Sequence, residues 1–227
     1  MLTKEGIYMI ADGLEVEDIG ERVTPVGKIE KLDRVSNLDV VLSFWGTTEN
    51  SSKNFNLLDE VRNFENELED DDNVLTVSEK IKDYFEELDV LEDQDNLGFH
   101  ICGYIGDIAH IHHVHHISSF EKNRFRNEDS KQEFHGAVRY IDHPILFNGD
   151  NKIPNLIINL IGVFEDRIKY EDFSSDQAEE FLIFLMETAI QLQKFSSNSL
   201  TSGILIDFPL RFCSMNKDNI RMKVIRE

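Results

Sequence analysis

The residues best placed to do chemistry in this chain are one acid and one lysine, each set in an apolar run. Asp12 ends the run Gly6-Ile-Tyr-Met-Ile-Ala-Asp12, and Lys28 lies in Gly27-Lys28-Ile29, 16 residues after Asp12. Buried strands avoid charge, because an unpaired ion loses its hydration there. If neighbouring strands bring the two side chains together, they form a partly desolvated pair with shifted ionisation. The pattern also fits a structural ion pair, or two charges that never meet.

Histidines form a second group of candidates, in the run His110-Ile-His-His-Val-His-His116. Side chains alternate between the two faces of a strand. One face would carry His110, His112 and His116, and the other would carry His113 and His115. Imidazoles spaced in this way bind zinc, copper or nickel, but a strong site needs a further ligand from another segment. A partly exposed strand without metal, or a group that titrates near neutral pH, fits the run equally.

Two cysteines and one serine complete the candidates. Cys102 and Cys213 lie in apolar segments, which favours inert core thiols over a reactive pair such as Cys102 with His100. Ser202 lies at a turn before an apolar run, and alone it indicates only a turn. The chain has no Gly-rich phosphate loop, Gly-x-Ser-x-Gly elbow or His-Glu-x-x-His helix, so we expect no cofactor.

Composition limits the classes of function. The 227 residues are 41% hydrophobic and 30% charged, which is typical of a folded domain. A net charge of −21 disfavours binding to nucleic acid or to an anionic membrane, because like charges repel. No signal peptide or membrane-spanning run is visible, and two cysteines make no disulfide framework. These features predict a soluble cytoplasmic protein.

The elements that must position the candidates alternate in blocks. Predicted strands cover 6–12, 26–32, 38–45, 97–104, 108–117, 137–147, 204–213 and 220–225. Predicted helices cover 55–68, a segment from Thr76 or Ser78 to 88, 154–168, and a segment opened by a Ser174–Gln177 capping box. Connections are predicted over 13–26, 121–133 (a loop or an exposed hairpin) and 196–203. The order indicates an α+β fold in which helix pairs cover antiparallel sheets, as one domain over 1–227.

In their order and spacing, these segments resemble proteasome β-type subunits and the related HslV protease, which are N-terminal-nucleophile hydrolases. The run from Gly6 to Gly13 resembles the family's G-hydrophobic-A-A-D strand, and Gly27-Lys28-Ile29 resembles its K-I strand at the same spacing. Further segments that resemble family motifs are Trp45-Gly46-Thr47, Ile101-Cys-Gly-Tyr104, Phe173-Ser-Ser-Asp-Gln-Ala178 and Thr201-Ser-Gly-Ile-Leu-Ile-Asp207. The resemblance covers nearly the whole chain.

The resemblance implies a four-layer αββα sandwich that stacks in rings with other copies or related subunits. It also implies a mechanism in which an N-terminal threonine attacks a peptide carbonyl, with its own α-amine as the base. Carried over by position, Lys28 lowers the local proton affinity and Asp12 orients Lys28. Gly46 supplies a backbone N–H to the oxyanion, and Ser202 is the supporting serine.

The nucleophile itself does not carry over. In the family it precedes the aspartate by about sixteen residues, and counting back from Asp12 passes Met1. Thr3 is nine residues from Asp12, which would place it partway along the wrong strand. The acid that the family usually has shortly before its Ser-Gly pair is replaced near Ser199. The family's glycine and serine before the third helix are replaced by Gly149-Asp150.

These observations lead to one main hypothesis and two alternatives. The main hypothesis is a divergent proteasome-like protein without its own catalytic threonine, acting through assembly or through binding, for example of a peptide. The first alternative is an active threonine-type peptidase or amidase whose first strand is missing from this sequence. The second is a metal or pH sensor that uses the His110–His116 strand.

Overall fold

The structure, a computed structural model, describes residues 1–19, 22–91, 96–117, 124–132, 145, 157, 168–195 and 206–226. In chain order the strands are β1 (Ile7–Asp12), β2 (Leu14–Ile19), β3 (Arg22–Lys28), β4 (Leu32–Arg34), β5 (Val40–Gly46), β6 (Glu49–Asn50), β7 (Phe55–Asn56), β8 (Leu97–Ile105), β9 (Ile108–Ile117), β10 (Arg124–Gln132), β11 (Leu210–Asn216) and β12 (Asn219–Arg226). The α-helices are α1 (Leu57–Glu65), α2 (Val74–Leu88) and α3 (Ser175–Phe195).

The described chain is an α+β protein whose strands pair antiparallel wherever their register is given. It divides into two compact units, Met1–Leu32 with His143–Glu227 and Asp33–Asp142. This division places the predicted acid and lysine in the first unit and the histidine run in the second. The predicted α+β class is therefore confirmed.

The first unit contains a three-stranded sheet in the order β1-β11-β12 and the two-stranded β2-β3 ribbon. The core holds residues of α3, β1 and β11 together with Met1, Ile157 and Ile206. Four residues of α3 recur at helical spacing and are buried: Ala178, Leu182, Leu185 and Ala189. Burial of such a stripe removes apolar area from water, which is the main force that holds a helix on a sheet.

The start of α3 confirms the predicted capping box. Ser174 Oγ accepts from Gln177 N at 3.3 Å, and Gln177 Oε1 accepts from Ser174 N at 3.0 Å. The two bonds satisfy backbone donors that the first helical turn leaves without partners. Although α3 has 21 residues, no helix in the described ranges is long and apolar enough to cross a membrane.

The second unit contains a five-stranded sheet in the order β10-β9-β8-β5-β4, with helices α1 and α2. The buried stripe of α2 includes Ile81 and Phe85, and Phe85 packs on Phe99 of β8 with ring centroids 4.8 Å apart. The predicted N-cap of this helix was wrong. The cap is Asn73, whose side chain accepts from the backbone of Thr76, while the Thr76 hydroxyl accepts from Asn73 N. Thr76 is therefore the partner of the cap.

Two predicted connections are strands in the structure. Residues 14–19 and 22–28 form the β2-β3 ribbon, with a register irregularity between Glu15 and Val16 and with Pro25 opposite Val16. Proline is tolerated at bulges and in narrow ribbons, so it did not mark a loop here. The polar segment Arg124–Gln132 is β10, which pairs with β9 along its whole length. The predicted strand at 26–32 is divided, because β3 ends at Lys28 and β4 begins at Leu32.

Other predicted elements fall outside the described residues. The predicted strand over 137–147 and the predicted helix over 154–168 lie there, apart from residues 145, 157 and 168. Ile157 has helical conformation. The predicted turn over 196–203 also lies outside, and it includes Ser202.

Candidate functional site

The strongest candidate site in the first unit is the carboxylate of Asp12. Asp12 ends β1 and lies opposite Leu210 of β11. Its Oδ2 accepts a hydrogen bond from Leu14 N at 2.9 Å and one from Lys31 Nζ at 3.0 Å. The Asp12 and Lys31 side chains are each only 16% exposed. The predicted desolvated acid–lysine pair exists, but its lysine is a different residue.

The structure pairs Asp12 with Lys31 and not with the predicted Lys28. Lys28 is exposed at the end of β3, opposite Leu14 of β2. Beyond it, Ile29 N donates to Gly13 O at 2.8 Å, which brings the chain beside the end of β1. Lys31 follows two residues later, and its Nζ reaches the Asp12 carboxylate.

Burial dominates the ionisation of Asp12. Desolvation raises the pKa of Asp12 above its ordinary value of 3.8, because the ionised form loses hydration. The charge of Lys31 and the hydrogen bonds from Lys31 and the Leu14 backbone act in the opposite direction without cancelling the effect. The site therefore contains an acid with raised proton affinity beside a fixed cation.

The backbone around the pair is closely packed. A Cβ on Gly13 would lie 2.8 Å from Cδ and Cγ of Pro209, so this position requires glycine. Glu30 forms an ion pair with Arg211 of β11. These contacts fix the segments on both sides of the Asp12–Lys31 pair to β11 and to the residue before it, and so preorganise the two side chains.

Gly46 ends β5 in the second unit with a positive φ of 98°. A Cβ at this position would lie 1.7 Å from Asn96 O, so another backbone crosses where a side chain would be. The same carbonyl accepts from Thr47 N at 2.6 Å. Glycine is thus required for structural reasons, and the oxyanion role of its N–H stays a prediction, as does the role of Ser202.

Thr3, the threonine nearest to Asp12 in the sequence, lies in a turn. Leu2 bridges to Ile7, and Tyr8 N donates to Met1 O at 2.8 Å, so residues 1–3 fold back along β1. Thr3 is fully buried, and its Oγ1 accepts from Glu5 N at 3.0 Å. Its hydroxyl is engaged in the turn.

The histidine run lies on β9, and its two faces differ as the alternation predicts. His110, His112 and His116 are buried, whereas His113 and His115 are half-buried. The His110 and His112 rings are stacked with centroids 6.0 Å apart.

His112 belongs to a hydrogen-bond network between the sheet and α2. Its Nδ1 donates to Asn127 Oδ1 at 2.9 Å, because an amide oxygen can only accept. Asn127 Nδ2 donates to Ser78 Oγ at 3.0 Å and to Glu79 Oε1 at 2.7 Å. In the described ranges, no three or more His, Cys, Asp or Glu side chains are grouped so that they could hold a metal ion. The metal role of His110, His112 and His116 stays a prediction.

The sequence did not predict the contact that the structure shows between His100 of β8 and His113 of β9. The two residues are directly opposite each other in the sheet, and Trp45 of β5 contacts both rings. A signal was present, because His100 alternates with the buried residues Phe99 and Ile101 and therefore faces the other side of its strand. The pairing register was needed to identify its partner.

The two cysteines are buried, as their apolar segments predict. Burial raises the pKa of the Cys213 thiol to about 12. A protonated thiol is a poor nucleophile and metal ligand, so Cys213 is a core residue.

Comparison with known proteins gives a likeness of fold. No family model matches the chain, and no curated protein matches it. Among solved structures it is similar to a Gly-1 mutant of Anbu, a proteasome-like protein, from Hyphomicrobium sp. strain MC1. The match has a TM-score of 0.60 and 15% identity, and covers 99% of this chain and 84% of that chain. The chain is therefore distantly similar to the proteasome-like fold.

Proposed function

We propose that this chain is a divergent proteasome-like protein that acts through assembly or binding, without a catalytic threonine of its own. The fold likeness to Anbu supports the proposal of a proteasome-like protein, because the likeness extends over 99% of the chain. The four-layer sandwich, the single domain and the ring partners implied by the sequence resemblance stay predictions.

The environment of Thr3 supports the absence of a catalytic threonine. In the catalytic arrangement, an aspartate orients the lysine, and the lysine acts on the amine and hydroxyl of the nucleophile. The hydrogen bond from Lys31 Nζ to the Asp12 carboxylate fits the first of these contacts. The Thr3 hydroxyl instead accepts from Glu5 N, and Thr3 is fully buried. These contacts disfavour Thr3 as the nucleophile and favour an ion pair that holds β1 to the segment after β3.

A peptidase assay tests the proposal directly. The purified chain is incubated with fluorogenic peptides that carry apolar, basic or acidic residues before the scissile bond. We expect no release of fluorophore above the buffer rate, and the same result for Lys31→Ala, Lys28→Ala and Asp12→Asn.

Hydrolysis by the unmodified chain that one of these variants abolishes, with its circular dichroism unchanged, would support the peptidase alternative. Lys28 and Lys31 are a matched pair for this purpose, because one is exposed and the other is paired with Asp12. Loss of activity in only one of the two lysine variants would identify the functional lysine.

A further inference from the structure

Two histidines on neighbouring strands bring ring nitrogens together. His100 and His113 are directly opposite in the antiparallel β8–β9 pair. Residues opposite each other in such a pair have Cβ atoms about 5 Å apart, so their rings can meet. His100 Nε2 and His113 Nδ1 are 3.2 Å apart.

The side chain beside the two histidine rings is the aromatic ring of Trp45, and the site is half-buried. The Trp45 ring lies 5.2 Å from the His100 ring and 5.1 Å from the His113 ring, centroid to centroid. Trp45 can lie there because Gly98 has no side chain, since a Cβ would be 2.1 Å from Trp45 Cζ2. His100, His113 and Trp45 are each half-buried.

The separation of the two nitrogens matches what a metal ion needs. Metal–imidazole bonds of about 2.0–2.1 Å place two ligand nitrogens about 3.3 Å apart at a tetrahedral angle, and about 2.9 Å apart at a right angle. The observed 3.2 Å lies between these values. Imidazole nitrogen suits copper, nickel and zinc, and copper(II) binds most tightly in this series.

The hydrogen bonding of the pair also allows binding. The two ring nitrogens are within hydrogen-bond distance, so one ring donates its N–H to the other. For both nitrogens to bind a metal, that hydrogen moves to the other nitrogen of its ring or is released to water.

We propose that His100 and His113 form a two-imidazole chelate for a late divalent transition-metal ion, with copper(II) the preferred ion. Water occupies the other coordination positions, since no group of three protein donors is present in the part of the chain that the structure describes. This site is separate from the predicted His110, His112 and His116 site, whose residues alternate with His113 and lie on the opposite face of β9.

The single tryptophan of the chain reports on this site. Untagged protein is treated with a chelator, transferred to metal-free buffer at pH 7.4, and titrated with copper(II) sulfate. We expect saturable quenching of Trp45 fluorescence with one ion per chain, because a paramagnetic ion bound to the two rings lies beside the indole. Nickel(II) should bind more weakly, in keeping with the stability order of these ions.

Three single variants locate the ligands. His100→Gln and His113→Gln should each weaken binding at least about tenfold, because even loss of an outer-shell partner of a metal costs that much. Lys53→Gln, at an exposed position of the same unit, should leave the affinity unchanged. Quenching that survives both ligand substitutions, or that is lost in Lys53→Gln, would overturn the proposal.

Paramagnetic resonance of the copper-loaded wild-type protein keeps the test decisive if a variant does not fold. Two coupled imidazole nitrogens are expected in the spectrum at one ion per chain. A spectrum without coupled nitrogen would refute the chelate.

Discussion

At the scale of single residues, two opposing effects, desolvation and ion pairing, set the energy of the Asp12–Lys31 pair. Desolvation raises the pKa of Asp12, and Lys31 only partly offsets this effect. A buried ion pair often contributes little net stability, yet removal of one partner leaves the other charge uncompensated. The two partners should therefore respond differently to substitution.

We expect Lys31→Met to reduce the free energy of unfolding by about 1–3 kcal/mol at pH 7, because it leaves the carboxylate buried with one donor fewer. Asp12→Asn leaves the Lys31 ammonium without its counter-charge, but it should cost less, since the amide oxygen still accepts from Leu14 N and Lys31 Nζ and the desolvation of the Asp12 carboxylate is relieved. Urea denaturation measures both changes. Lys28→Met is the matched control, and an exposed substitution should change stability by less than about 0.5 kcal/mol. An equal loss for Lys28→Met and Lys31→Met would contradict the assigned pairing.

The raised pKa of Asp12 also predicts a direction of pH dependence. Between 3.8 and the higher folded-state pKa, the folded protein binds more protons at Asp12 than the unfolded chain does. The contribution of Asp12 to stability is therefore largest in acid and falls as the pH rises through this window. The stability of the wild type relative to Asp12→Asn should decline through the window and then level off. A carboxyl NMR titration that gave a folded pKa below 3.8 would contradict this.

At the scale of elements, the sequence predicted the strands and helices that bury an apolar face. The β5, β8 and β9 strands and the α3 capping box were evident, because burial demands apolar residues and a helix start demands a cap. The β2–β3 ribbon and β10 were missed. A two-stranded ribbon and a strand at the edge of a sheet can be polar, so they produce no continuous apolar run.

The same limit explains why the sequence did not predict the partners of the candidate site residues. The sequence indicated that Asp12 needs a partner, because a charge at the end of a buried strand does, but the structure gives it Lys31 and not the predicted Lys28. Which lysine it meets depends on where β3 ends and how the chain leaves it, and this was not visible in the run Lys28-Ile-Glu-Lys31. The His100–His113 contact likewise depends on the β8–β9 register. Periodicity predicts the face of a residue, but not its neighbour across the sheet.

Alanine substitutions at two glycines near the ends of strands can be compared with each other. Gly46 and Gly106 both have positive φ, 98° and 61° respectively. A Cβ on Gly46 would collide with Asn96 O, whereas a Cβ on Gly106 would have nothing within 4 Å. Gly106→Ala should therefore cost only the conformational term, about 1–2 kcal/mol. Gly46→Ala should cost more than Gly106→Ala, because a backbone must also move. Chemical denaturation measures both, and equal losses would contradict the close approach.

At the scale of the whole molecule, the dominant property is the net charge of −21. Copies that assemble must bring these charges together, and the repulsion between them acts over a distance set by the ionic strength. The Debye length falls from about 30 Å at 0.01 M salt to about 3 Å at 1 M. Assembly with other copies, as proposed above, should therefore be sensitive to salt.

Light scattering coupled to size exclusion tests this expectation. We expect the mean mass of the purified chain to rise above that of the 26.3 kDa monomer as sodium chloride increases from about 0.01 M to about 1 M, because screening removes repulsion while apolar contacts persist. Raising the protein concentration at fixed salt should shift the mass in the same direction, which separates association from a change of shape. A monomer at every salt and protein concentration would rule out self-assembly and leave binding to other partners as the remaining form of the proposal.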